Sequence, residues 1–332
     1  MNRKAISLLS GGLDSLLASK IVIGQGIEVV GVHYTSPLCN SIRDDKGEGA
    51  LVAGEELGIK VLIRDKGEDY LKVVRNPKHG YGKNMNPCID CRIYMLRLTY
   101  GLMTEEDASF IVTGEVLGQR PMSQQRRTMD LIERQSGLEG LIVRPLSAKF
   151  FPPTLPEKEG VLDREGLFGI SGRSRRVQYE LAEEYGLTRF SCPAGGCLLT
   201  DPIFAHKLRD LFTHEPAFSM GDIALLRVGR HFTFEGKRLV LGRNKEENDY
   251  LSHFWSPPYC LIHPRNFKGP SGLIKGDLDE GSLPIVANIM AFYGKSDASP
   301  IIIEAHCHGE VRRHAVERAE INPEQYRIKE EQ

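Results

Sequence analysis

Two groups of residues in this chain have the types and spacing to do chemistry. The first is Ser10-Gly11-Gly12-Leu13-Asp14-Ser15, set between an apolar run and a leucine-rich one. Glycines let backbone N–H groups approach an anion closely, and a helix start adds unpaired donors and partial positive charge. Ser10 and Ser15 supply hydroxyls, and Asp14 can reach a Mg²⁺ ion held by phosphate. The lysine of kinase-type and GTPase-type loops is missing, as is the G-x-G-x-x-G of dinucleotide folds. A phosphate-binding loop of another kind is therefore expected.

The second group is sulfur. Cys88-Ile89-Asp90-Cys91 opens a helical segment, a position that favours a thiolate. Cys192 and Cys197 lie in the turn-rich stretch FSCPAGGCLLTDP. Three or four thiolates from separate turns could hold a metal or an iron–sulfur cluster; on spacing alone, buried free cysteines remain the alternative. Lys83 and Arg92 could neutralise charge nearby and Met85 could pack there, or each is an ordinary surface or core residue. The chain has 7 cysteines, an odd number. With no secretory signal, a disulfide framework is not expected. Cys39 and Cys260 read as structural, and His306-Cys307-His308 as ordinary strand residues.

These residues need a scaffold. AISLLS, IEVVGVHY, KVLIRD, SFIVTGEVLG and LIVRPL read as strands, separated by helical patterns at LDSLLASKIVIGQG, GEGALVAGEELGI and CRIYMLRLTYGLMTEEDA. Continuous apolar strands alternating with helices predict an α/β fold with a parallel sheet covered on both faces, whose ligands sit at the strands' carboxyl ends. A helix follows at GRSRRVQYELAEEYG. After Gly221 the texture changes to a hairpin turning at Glu235-Gly236, a strand YCLIHP, a helix PIVANIMAFYG and a strand SPIIIEAH. The expected domains are 1–220 and a smaller α+β domain over 221–332.

A length of 332 residues suits two domains. With 41% apolar and 26% charged residues, and no run near the ~18 apolar residues a membrane span needs, the chain reads as a cytoplasmic protein without a membrane partner. The net charge of -1 means any nucleic acid is held by local basic patches. Arg120, Arg126 and Arg127 form one candidate, in a stretch with no strong apolar period; a solvated, partly helical surface is the alternative. Arg173, Arg175 and Arg176 form another, at a helix start where the dipole does not favour them; an alternative is pairing with Glu180, Glu183 or Glu184.

Ser10–Ser15 resembles the PP-loop of the N-type ATP pyrophosphatases, SGGxDS. That resemblance implies binding of ATP and Mg²⁺ through Ser10, Gly11, Gly12, Asp14, Ser15 and Gly114, with AMP transferred to a substrate oxygen. It also implies adenosine contacts in Val32-His33-Tyr34-Thr35. The PP-loop, the central CxxC and the late cysteine together resemble tRNA thiouridine synthetases. Gly114-Glu115-Val116-Leu117-Gly118-Gln119, with Ser123-Gln124, is similar to a stretch of the 4-thiouridine synthetases. The CxxC and Gly196-Cys197 are similar in placement to the cysteine segments of the 2-thiouridylases. The resemblance implies a [4Fe–4S] cluster on Cys88, Cys91 and Cys197, with Cys192 the alternative third ligand. A persulfide on Cys197 resolved by Cys91 is the other route. The implied activity is ATP-dependent thiolation of tRNA, with sulfide or a persulfide carrier as sulfur donor and a homodimer held open. A PP-loop amidating enzyme or ligase using ammonia on a small molecule, or an RNA-binding adaptor, is the alternative.

In the last third, Leu241-Gly242-Arg243-Asn244-Lys245-Glu246-Glu247-Asn248-Asp249-Tyr250-Leu251 resembles the signature of the NFACT-R domain. It implies RNA contact through Arg243, Asn244 and Asn248; capping of turns and helices is the other role open to the asparagines.

Overall fold

The computed structural model describes residues 1–38, 47–190 and 197–328. The chain divides into two compact units, Met1–Thr200 and Asp201–Gln332. The first unit runs β1 (Lys4–Leu8), α1 (Leu13–Gly24), β2 (Glu28–Thr35), α2 (Glu48–Leu57), β3 (Val61–Asp65), α3 (Asp69–Arg75), α4 (Cys88–Glu105), β4 (Phe110–Thr113), α5 (Arg126–Ser136), β5 (Ile142–Val143), α6 (Leu155–Lys158) and α7 (Arg176–Glu184). Its strands form a parallel sheet in the order β3-β2-β1-β4-β5.

Side chains alternate across each strand, so β1 feeds both faces. Ala5 joins the apolar cluster containing Leu16, Leu17 and Leu181, while Ile6 and Leu8 join that of Leu96, Leu102 and Ile132. Both faces being covered, the strand reads as a continuous apolar run. The chain builds β1, β2 and β3 outward, then crosses to β4 on the other side of β1. At that reversal the carboxyl ends of β1 and β4 leave a crevice. The glycine loop follows β1, and Gly114 follows β4.

The second unit contains α8 (Pro202–His214), α9 (Met220–Leu225), β6 (Arg230–Phe234), β7 (Lys237–Leu241), α10 (Lys245–Phe254), β8 (Tyr259–Pro264), β9 (Gly272–Lys275), α11 (Ser282–Tyr293), β10 (Ile301–Cys307) and β11 (Glu310–Val316). Its antiparallel sheet has the order β11-β10-β8-β9-β7-β6. Val286, Ile289 and Met290 of α11 are buried with Phe232, Leu239, Ile262 and Ile303 from the strands. The expected hairpin turns at Glu235 and Gly236, whose φ values of 48° and 74° match a tight turn between twisted strands.

The structure departs from the sequence reading in several places. The arginine-rich stretch after Gly118 holds a helix, α5, anchored by buried Met129 and Ile132. Two apolar residues three apart suffice because the rest of that helix is half-buried or exposed, with Glu133 tied to Arg144. LIVRPL contributes only Ile142 and Val143 to the sheet. His308 lies outside β10, in the turn before β11 with φ 50°, and pairs with Asp277 at 2.7 Å.

The cysteine expectation needs correction too. Cys260 and Cys307 form a disulfide, with Cα atoms 4.5 Å apart. Strands β8 and β10 are antiparallel neighbours, and the pairing of Leu261 with His306 sets these two cysteines opposite one another. No helix among the described residues is long and apolar enough to cross a membrane.

Candidate active site at the carboxyl edge of the parallel sheet

The glycine loop is drawn tight by its own serines. Ser15 Oγ donates to the Gly12 carbonyl at 2.9 Å, and the Ser10 N–H donates to Ser15 Oγ at 3.2 Å. Gly12 caps α1 with φ -85° and makes no side-chain cap, so no side chain of the cap residue claims the first N–H groups of α1. Two glycines are required by contact. Gly11 has φ 77°, and a Cβ there would lie 2.4 Å from the Gly49 carbonyl carbon. A Cβ on Gly114 would lie 2.5 Å from both the Asp14 carbonyl carbon and the Ser15 nitrogen. The end of β4 thus rests directly on the backbone of the loop.

Asp14 sits in a polar knot. Gln119 Nε2 donates to its Oδ2 at 2.6 Å, Gln178 Nε2 approaches Oδ1 at 3.4 Å, and an Arg175 nitrogen stands 3.6 Å from Oδ2. Gln178, on α7, is fully buried. One carboxylate ringed by amides at a helix N-terminus suits Mg²⁺, which takes one or two carboxylates and completes its shell with phosphate and water.

His33 Nδ1 meets the Leu9 carbonyl at 3.0 Å, at the strand end leading into the loop. Tyr34 turns to the opposite face, is buried, and meets Thr99 of α4 through its hydroxyl at 3.2 Å. Of the pair expected at an adenosine, His33 lies beside the loop and Tyr34 is part of the core under α4.

The thiols gather on the same edge. Cys88 and Cys91 open α4 and are half-buried, as is Cys197. The Tyr70 hydroxyl donates to Cys91 Sγ at 3.0 Å, and Lys66 Nζ stands 3.7 Å from the same sulfur. Lys66 is buried and lies over the Tyr70 ring, its ammonium 4.4 Å from the centroid. The sequence reading missed both residues. Lys66 directly follows β3, at the strand end where ligands of such folds gather, which is the signal that could have flagged it.

Two ties bring distant segments together. Met85 N–H donates to the Leu199 carbonyl at 3.0 Å, and Asn84 Nδ2 donates to the Thr200 carbonyl at 2.7 Å. They hold the segment after Cys197 against the residues just before Cys88. Arg92 donates to Glu115 at 2.8 Å, linking the residue after Cys91 to the residue after Gly114. Glu115 also meets buried Arg144 at 3.2 Å, and Arg144 meets Glu133 at 2.7 Å. Burial pushes the Glu115 carboxyl up, yet the Arg92 and Arg144 guanidiniums outweigh it and hold it below the usual glutamate range.

A [4Fe–4S] cluster with one open iron needs three converging thiolates. Among the described residues no three His, Cys, Asp or Glu side chains stand together as a metal site. Cys192, like Cys39, lies outside the described residues.

Of the arginine groups, Arg126 pairs with Asp130 and Arg176 with Glu180, both one helical turn away. In the second unit Asn244 caps α10, accepting from the Glu247 N–H at 2.9 Å, and Asn248 accepts from the Ser271 N–H at 3.0 Å. Arg243 pairs with Glu247, its side chain 52% exposed. Of the three residues expected at RNA, the asparagines are structural ties and Arg243 faces solvent.

Comparison with known proteins follows this division. Residues 1–149 match the family model of the thiamine biosynthesis protein (ThiI), and residues 229–329 match that of the NFACT protein RNA binding domain. A probable tRNA sulfurtransferase of Methanothermobacter thermautotrophicus is 31% identical over 119 residues, 35% of this chain and 30% of that protein. The tRNA-specific 2-thiouridylase MnmA of Pelobacter propionicus is 29% identical over 112 residues, 32% of this chain and 31% of that one. The matched segments span about a third of the length of these curated relatives. A solved 4-thiouridine synthetase–RNA complex with bound ATP is similar over 67% of this chain and 52% of that one, at 22% identity and a TM-score of 0.39. The chain thus pairs a PP-loop part similar to thiouridine synthetases with an NFACT-R-like part.

Proposed function

We propose that this protein thiolates uridine in tRNA at the expense of ATP. The observation that carries the reading is the Arg92–Glu115 pair. It couples the helix start bearing Cys91 to the strand end that rests on Asp14, so nucleotide activation and sulfur chemistry share one edge. The matches to tRNA sulfurtransferases and a 2-thiouridylase support the same reading.

The glycine loop and the α1 N-terminus bind the polyphosphate of ATP. Asp14 would hold Mg²⁺, which would supply neutralising charge to the phosphates. The uridine carbonyl oxygen attacks the α-phosphorus, pyrophosphate leaves, and the oxygen becomes part of a good leaving group. A persulfide carrier passes its terminal sulfur to the Cys197 thiolate and departs as a thiol. The Cys197 persulfide then attacks the activated carbon and AMP leaves, giving a carbon–sulfur–sulfur link. Cys91 attacks the Cys197 sulfur, releasing thiouridine and forming a Cys91–Cys197 disulfide, which an external dithiol reduces. Lys66 and Tyr70 serve Cys91 as donors that orient an electron-rich sulfur. The second unit, through Arg243 among others, holds RNA.

The test is direct. Purified protein receives unmodified tRNA, ATP and a persulfide donor under reducing conditions; nucleosides are analysed by mass spectrometry and AMP is counted. Thiouridine should form with AMP in step, and Cys197→Ala should abolish both thiouridine and its dependence on the donor. ATP cleavage indifferent to tRNA, or thiolation surviving both Cys91→Ala and Cys197→Ala, overturns the reading. An absorption spectrum of anaerobically purified protein tests the cluster route: broad visible absorbance lost in Cys88→Ala would place sulfur delivery on a [4Fe–4S] centre instead.

A further inference from the structure

The arginines that open α7 are not equivalent. Arg176 is engaged on the surface by Glu180 at 2.8 Å. Arg175 turns the other way, toward the glycine loop, with its side chain 28% exposed and 3.6 Å from Asp14. That separation is an ion pair without a short hydrogen bond, and a partly exposed pair of this kind adds little to stability. The first turn of α7 carries no acidic residue to claim the guanidinium.

A second observation lies one turn along the helix. Gln178 is fully buried, its amide nitrogen 3.1 Å from Gln119 Oε1 and 3.4 Å from Asp14, while its own Oε1 has no hydrogen-bond partner. A buried acceptor without a donor is costly, so such a group beside Asp14 and the loop marks a place where a ligand or its bound water completes the network. Arg175 and Gln178 thus face the same carboxylate from one helix, one offering a loosely held cation, the other an unmet acceptor.

Resting on the reading that the loop holds ATP, we infer that Arg175 binds the leaving pyrophosphate and that Gln178 positions Asp14 beside it. Guanidinium matches the paired oxygens of a pyrophosphate, and its charge offsets negative charge as the bond to the α-phosphate breaks. The exchange is undemanding: Arg175 gives up a loose contact with one carboxylate and gains a polyanion. The odd placement of arginines at a helix start, read from sequence as a sign of an anionic partner, then has a small-molecule explanation at Arg175.

Equilibrium binding of ATP, pyrophosphate and AMP separates the parts. In the Arg175→Ala protein, ATP and pyrophosphate should each bind at least tenfold more weakly, with AMP affinity within twofold of wild type; Arg175→Lys should recover part of the loss. Gln178→Leu should weaken magnesium-dependent ATP binding more than magnesium-free binding. Thermal melts confirm that each variant is folded. Wild-type protein that binds neither ATP nor pyrophosphate sinks the loop reading itself. Wild type that binds both, with Arg175→Ala binding them equally well, sinks the Arg175 inference alone. So does an Arg175→Ala protein that loses AMP and ATP affinity in equal measure, or loses only RNA affinity.

Discussion

Replacing Gly114 with alanine adds one methyl group where the structure leaves no space. The new carbon would lie 2.5 Å from the Asp14 carbonyl carbon and the Ser15 nitrogen and 2.6 Å from the Asp14 oxygen. Carbon contacts settle at roughly 3.5–4.0 Å, so the shortfall is about 1 Å against backbone that has no rotamer to change. Overpacking of this kind costs about 1–3 kcal/mol. Alanine returns about 0.4–1 kcal/mol by restricting the unfolded chain. The net loss of about 1–2 kcal/mol corresponds to a melting temperature roughly 2–8 °C lower for a unit of this size. The strain must move β4 or the loop, and the loop is the less buried of the two. ATP affinity should therefore fall about tenfold or more, the equivalent of about 1.4 kcal/mol. Gly12→Ala is the control for stability: its nearest neighbour is Ser10 Oγ at 3.4 Å, an ordinary contact, and its melt should shift by under about 2 °C. Calorimetric melts and ATP titration read both quantities. A Gly114→Ala protein that melts and binds ATP like wild type refutes the close approach. One that melts lower yet binds ATP as tightly refutes the claim that strain reaches the loop.

Three further outcomes follow from the same edge and from the second unit. Glu115→Gln leaves Arg144, whose side chain is 3% exposed, with a single carboxylate partner, and should cost about 3 kcal/mol by denaturant titration. Because the folded Glu115 carboxyl is held below its usual 4.5, its stabilisation is complete above that pH and lost as pH falls through the folded value. The gap between wild type and Glu115→Gln should accordingly be widest at neutral pH and close in acid. Lys66→Met and Tyr70→Phe should each slow alkylation of Cys91 by iodoacetamide several-fold at fixed pH, read by peptide mass spectrometry, while Cys88 is unaffected; equal rates would show that neither donor acts on the sulfur. Reducing the Cys260–Cys307 bond, which closes a loop spanning 47 residues, should destabilise the second unit by about 4 kcal/mol in the loop-entropy picture, visible as a lower melt in dithiothreitol.

What could be read from sequence was what is local. The glycine loop stands out because a buried strand, two glycines and a helix start occupy adjacent residues, and each imposes its own pattern. The Glu235-Gly236 turn is legible for the same reason. Strand β11 escaped notice because an edge strand reads as charge, Glu310 through Arg313, instead of alternation. Helix α5 escaped because Met129 and Ile132 are its only buried residues. The disulfide depended on which strands become neighbours, a property of register and topology. The Lys66–Tyr70–Cys91 cluster arises where β3, α3 and α4 meet, and no spacing in the chain announces that three separate elements end at one sulfur.

The two units ask opposite things of their surroundings. Surroundings oxidising enough to keep the strand-to-strand bridge of the second unit closed would also threaten the reduced thiols of the first. Surroundings that keep those thiols in their working form would work to open the bridge. Electron supply thereby sets how firmly the second unit holds together and whether the thiols of the first stay reduced, so exhaustion of reductant stiffens the one as it spends the other.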